Sequence, residues 1–146
     1  MSMLVFKTKL GELDIDDKEI IVFENGMPGF EQLRKFSVIS LKETLPIMWL
    51  VSLEDEHIAF PIIDPWILTK DYEFEISDED VEELEIKDKE KIAVWVILTI
   101  PYGNPKETTV NLLAPIVVNL ESGKGKQIIL NTEKYTTKHK LSSFKK

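Results

Sequence analysis

KIAVWVILTI, Lys91 to Ile100, is the stretch on which the fold turns. If extended, it points Ile92, Val94, Val96, Leu98 and Ile100 to one side and Ala93, Trp95 and Ile97 to the other. Its β-branched content favours a strand, and two apolar faces favour a strand covered on both sides, in the middle of a sheet. Pro101, Gly103, Asn104 and Pro105 then end it in a loop.

Short strand signals continue outward from this centre. Met3 to Leu10 alternates, with Leu4, Phe6, Thr8 and Leu10 on one side; Gly11 breaks the run, and Leu13 and Ile15 resume it. Ile20–Phe23, Phe36–Leu41, Ile47–Val51 and Ile58–Ile63 precede the central stretch, and Thr108–Leu113, Ala114–Leu120 and Lys126–Leu130 follow it. Ser122-Gly123-Lys124-Gly125 reads as a hairpin turn between the last two. Strands of this length and spacing predict a sandwich or barrel, mainly β and mostly antiparallel. No strand alternates with a long helix, which argues against a parallel α/β sheet.

One or two short helices fit. Ser77 is an N-cap, followed by Asp78, Glu79 and Asp80 where the helix dipole favours negative charge. Val81 and Leu84 would face the protein. Asp64-Pro65 can start a second turn, with Asp as cap and Pro at the first helical position. Met27-Pro28-Gly29-Phe30 suits a type II turn that drops Phe30 into the core. A single domain is expected over residues 1–137. Residues 138–146 read as a basic, flexible tail.

The 146 residues are 43% apolar and include no cysteine, so neither a disulfide framework nor a thiolate zinc site is available. Met3–Phe6 is too short for a signal-peptide core, and the longest apolar run is about half of a membrane-spanning helix. The expected protein is soluble and cytoplasmic, with no membrane contact. Net charge is −8, from 18 basic and 26 acidic residues, which disfavours direct nucleic-acid binding.

The charge is segregated. Residues 71–91 carry 11 acids and 3 lysines, whereas residues 121–146 carry 7 lysines and 2 acids. An acidic stretch of this kind is either a solvated face or a docking face for a basic protein, where complementary charge speeds association and selects the partner. The candidates on it are Asp78, Glu79, Asp80, Glu82 and Glu83.

Catalytic raw material is sparse. His57 and His139 are the only histidines, they lack metal-ligand spacing, and no nucleophile-elbow pattern flanks a serine. Counted from Asp78 as a calcium loop, position six would be Glu83 and position twelve Lys89, which breaks that motif. No enzyme activity, metal or cofactor is expected. In TTVNLLAPIVVNLESGKGKQIIL, Thr108–Leu130, Asn111 and Asn119 interrupt apolar runs, and Pro115 removes a ladder donor. That reads as an edge or a kink, and an edge invites a partner. Lys124, Lys126 and Gln127 would sit at its rim.

GMPGF after an IIVF strand, AFPIIDPWILTKDYEFEI (Ala59–Ile76), KIAVWVILTI and NLLAPIVVNLESGKGKQIIL, in this order and spacing, resemble the FliW family of flagellar assembly factors. The resemblance runs from Leu13 to about Tyr135. It implies a β pseudo-barrel of two packed sheets with a short helical insert, and a role without catalysis. It further implies two alternative partners, flagellin and the basic RNA-binding regulator CsrA, which represses flagellin translation until it is captured. The acidic set suits the regulator; Asn111, Pro115, Asn119, Lys124 and Gln127 are the candidates for flagellin. The alternative is a small-molecule-binding β-barrel using an interior between Trp49, Trp66 and Trp95.

Overall fold

The computed structural model describes residues 3–144. Its strands are β1 (Met3–Thr8), β2 (Gly11–Asp16), β3 (Ile21–Val22), β4 (Lys35–Ser40), β5 (Met48–Ser52), β6 (Ala59–Ile63), β7 (Ile92–Thr99), β8 (Thr109–Val110), β9 (Ile116–Asn119), β10 (Lys124–Gln127) and β11 (His139–Lys140). Two short helices, α1 (Pro65–Leu68) and α2 (Asp78–Glu83), lie between β6 and β7.

Seven strands close into a barrel in the order β7-β6-β5-β4-β3-β10-β9 and back to β7. All of its pairings are antiparallel except β3 with β10. The stretch read first is the strand that closes it. One edge of β7 pairs with β6, Ile62 opposite Ile97. The other edge pairs first with β9, from Ile92–Asn119 to Trp95–Ile116, and then with β8, Leu98 opposite Val110. β8 and β9 are thus one path bent between them. Asn111 Oδ1 accepts from the N–H groups of Leu113 and Ala114 at the bend, just before Pro115.

The two apolar faces of β7 have separate destinations. Trp95 and Ile97 join the barrel interior with Ile21, Phe23, Phe36, Leu50, Ile62, Ile116 and Val118. On the outside, Val96 and Leu98 pack with Tyr72, Val110 and Leu112. Ile92 and Val94 pack under Leu84 with Val117 and Ile128. A third outer cluster forms where the β1–β2 hairpin lies over β4, β5 and β6, around Ile15, Val51 and Leu53. The outer faces are covered by chain rather than by water, which is why so many strands carry no polar face.

Three expectations change. β9 is not an edge: β7 and β10 flank it on both sides, so the bend at Ala114-Pro115 marks a corner of the barrel. The turn between β9 and β10 is Leu120–Gly123, and Gly125 lies within β10. Gly125 is needed for packing, since a Cβ there would come within 2.8 Å of Ile21 Cγ2 and 3.1 Å of the Phe23 ring. The tail differs from the free extension expected over 138–146. β11 pairs with β8, Leu141 and Phe144 pack beside Tyr135, and Lys145 and Lys146 lie outside the described residues. Few apolar residues suffice because each meets an existing apolar surface.

Candidate functional site

α2 and its flanks carry the acidic stretch. Ser77 caps the helix, its Oγ accepting from Asp80 N–H at 3.1 Å, and Asp78, Glu79 and Asp80 fill the first turn. Leu84 ends it, 2% exposed in the outer cluster under the helix. Glu85 takes a left-handed φ of 56°, and Ile86 N–H returns to Val81 carbonyl at 2.9 Å.

The barrel grips this segment from below. Asn119, 2% exposed, donates from Nδ2 to the carbonyls of Leu84 (2.9 Å) and Glu85 (3.0 Å), and its Oδ1 accepts from Glu121 N–H. Ser122 Oγ donates to the Leu84 carbonyl as well. These partners satisfy helix carbonyls that would otherwise be orphaned. Lys126 Nζ reaches Asp80 at 2.6 Å and Glu83 at 2.5 Å, and Lys124 Nζ reaches Glu24 at 3.0 Å and Glu85 at 2.5 Å. Asn25 Nδ2 donates to Glu83 at 2.8 Å. Burial pulls the Lys126 ammonium down, but the hydrogen bonds to Asp80 and Glu83 more than offset it and hold it above its ordinary value. The Lys124 hydrogen bond holds the Glu85 carboxyl below the usual range.

The five acids therefore split by role. Asp80 and Glu83 face the barrel and share the Lys126 ammonium. Asp78, Glu79 and Glu82 face solvent. With Glu75, and with Glu73 held by Lys134 at 3.1 Å, they form an outward carboxylate surface beside a groove of about 790 Å³, whose lining includes Trp66, Val81, Ile86 and Val94.

The other set is dispersed. Asn111 holds the β8–β9 bend, Pro115 is buried, and Asn119 is occupied under α2. Lys124 is ion-paired, and Gln127 is half-buried with Nε2 on the Ala114 carbonyl. The three tryptophans do not share an interior. Trp95 packs on the barrel core, Trp49 on the hairpin side, and Trp66, 40% exposed, stacks edge-on against Tyr72. His57 is exposed beside Asp55, Nδ1 to Oδ1 at 3.2 Å. Among the described residues, no three His, Asp or Glu side chains gather where a metal ion could be held, and no helix is long and apolar enough to cross a membrane.

Sequence reading missed the grip itself. Lys126 and Asn119 are drawn to α2 across 46 and 35 residues of chain, and nothing local in either neighbourhood signals it.

The profile of the FliW protein family matches residues 5–141. The flagellar assembly factor FliW of Thermosipho africanus is 72% identical over 139 residues, covering 95% of this chain and 96% of the relative. That of Thermotoga maritima is 48% identical over 139 residues, covering 95% and 93%. The crystal structure of a flagellar assembly factor FliW superposes with a TM-score of 0.85 at 35% identity, over 96% of each chain. Matching in sequence and in fold over nearly its whole length, the chain belongs to the FliW family.

Proposed function

We propose that this protein is a cytoplasmic, non-catalytic flagellar assembly factor. It binds flagellin before export and, when free, captures the regulator CsrA, which relieves repression of flagellin translation. Family membership across residues 5–141 is the observation that carries this reading. The barrel interior supports it too. Phe23, Phe36, Leu50, Ile62 and Ile116 fill the space that a small-molecule-binding barrel would keep open.

The regulator is basic, and its docking face is the outward acidic surface. Asp78, Glu79 and Glu82 carry it, because Asp80 and Glu83 are already paired within the molecule. Reversing those three exposed acids to Lys is expected to slow association with CsrA about tenfold or more at low ionic strength, and much less at high salt. Stopped-flow association rates across a salt series test this; rates that match wild type at every salt concentration rule the face out.

For flagellin, Gln127 is the best of the residues first considered. It stays partly exposed and lines an apolar groove with Trp49, Phe60 and Ile97. Flagellin ends are amphipathic helices that are unfolded before export, and an apolar groove suits them. A Gln127→Glu variant with wild-type flagellin affinity would remove this rim from consideration.

A further inference from the structure

Between the two helices lies a strand without partners. Glu73, Glu75 and Ser77 are exposed while Phe74 and Ile76 are half-buried, the two-residue alternation of an extended chain. Ser77 itself is extended, at φ −65° and ψ 157°. Yet Glu73–Ser77 joins no ladder. Among the described residues, no hydrogen bond engages the N–H or C=O of Phe74, Glu75 or Ile76.

Two contacts orient its edges. Glu73 N–H donates to the Tyr135 hydroxyl at 3.0 Å, and Trp66 Nε1 donates to the Tyr72 carbonyl at 2.8 Å. Along an extended chain the N–H and C=O of successive residues face alternate edges. Glu75 therefore faces the Tyr135 side with Glu73, whereas Phe74 and Ile76 face the Trp66 side with Tyr72. That second side opens onto the groove of about 790 Å³, floored by Val81, Ile86, Ile92 and Val94. Three carboxylates, Glu73, Glu75 and Asp78, line it with one lysine, Lys89; Lys134 reaches Glu73 at 3.1 Å, so Glu75 and Asp78 are the acids left open to a partner.

We propose that this edge accepts an extended basic segment of a protein partner, added as a strand along Glu73–Ser77. Open backbone groups supply the ladder, the apolar floor takes every second side chain, and the acids pair with the Lys or Arg residues between them. The segment it fits thus alternates basic and apolar residues. This deepens the reading of a basic partner given above and rests on it.

The test uses the full chain and two blocked peptides, Gly-(Lys-Val)4-Gly and Gly-(Glu-Val)4-Gly. The lysine peptide is expected to slow amide exchange at Phe74 and Ile76 at least tenfold by NMR and to leave Glu75 unchanged; the glutamate peptide is expected to do neither. A Glu73→Lys/Glu75→Lys variant should raise the Kd for the lysine peptide and for CsrA at least tenfold, with exchange in the barrel strands unchanged. Absence of binding, binding without protection at Phe74 and Ile76, or equal affinity in the variant overturns the proposal. CsrA binding that survives this variant but is lost on reversal of Asp78, Glu79 and Glu82 overturns the strand edge alone. CsrA that fails to bind the wild-type protein overturns the reading beneath it.

Discussion

Individual side chains hold the acidic segment to the barrel. Asn119 is the clearest case: a buried amide whose donors and acceptor are all engaged. Replacing it with Ala leaves helix-end carbonyls short of partners and should cost about 1–3 kcal/mol. Urea denaturation measures this, and an unchanged midpoint would show that water replaces the amide. Gly125→Ala pushes a methyl group against Ile21 and Phe23 and should cost about 1–3 kcal/mol through overpacking. Tyr72 donates its hydroxyl to the Leu112 carbonyl at 2.7 Å, and burial, with Tyr135 nearby, raises its pKa well above the ordinary tyrosine value. The folded state therefore keeps the proton that the unfolded chain gives up. The stability this gives is intact below pH about 10 and is lost as pH rises further. In an ultraviolet tyrosine titration one of the three tyrosines should ionise well after the others, and Tyr72→Phe should remove that late step.

At the scale of elements, α2 is six residues long and cannot persist alone. Its capping was legible in the chain: Ser77 and Asp64 both cap as their positions suggest. So was the turn at Met27–Phe30, closed by Phe30 N–H on the Met27 carbonyl at 2.7 Å with Gly29 at φ 86°. There the anchor is Met27, 2% exposed, with Phe30 only half-buried. What holds α2 to the barrel was not legible, because Lys126 finds Asp80 and Glu83 only after β10 has been laid beside β3. Lys126→Ala strands Asp80, whose side chain is 12% exposed, and should cost about 1–3 kcal/mol, between an exposed pair and a buried one. Faster amide exchange across Asp78–Leu84, with the barrel unaffected, is the expected signature. With its ammonium held above the ordinary value, the grip of Lys126 is complete below pH about 10.5 and fails as the solution becomes more alkaline.

For the whole molecule, the decisive event is closure of β9 onto β7. Strand content was readable from KIAVWVILTI and its neighbours, because a run apolar on both faces needs cover on both. Closure was not, because Pro115 and Asn111 look alike at an open edge and at a bend. Only long-range pairing separates the two readings. Closure removes the edge first expected for flagellin and leaves the acidic segment on the outside of a filled barrel, which suits a protein that works through its surface. The most direct test of that account is a calorimetric titration of the purified protein with CsrA, with flagellin, and with CsrA after saturation by flagellin. Each partner should bind alone, and saturating flagellin should abolish the CsrA signal. Failure of either to bind, or an undiminished CsrA signal in the presence of flagellin, would contradict the account.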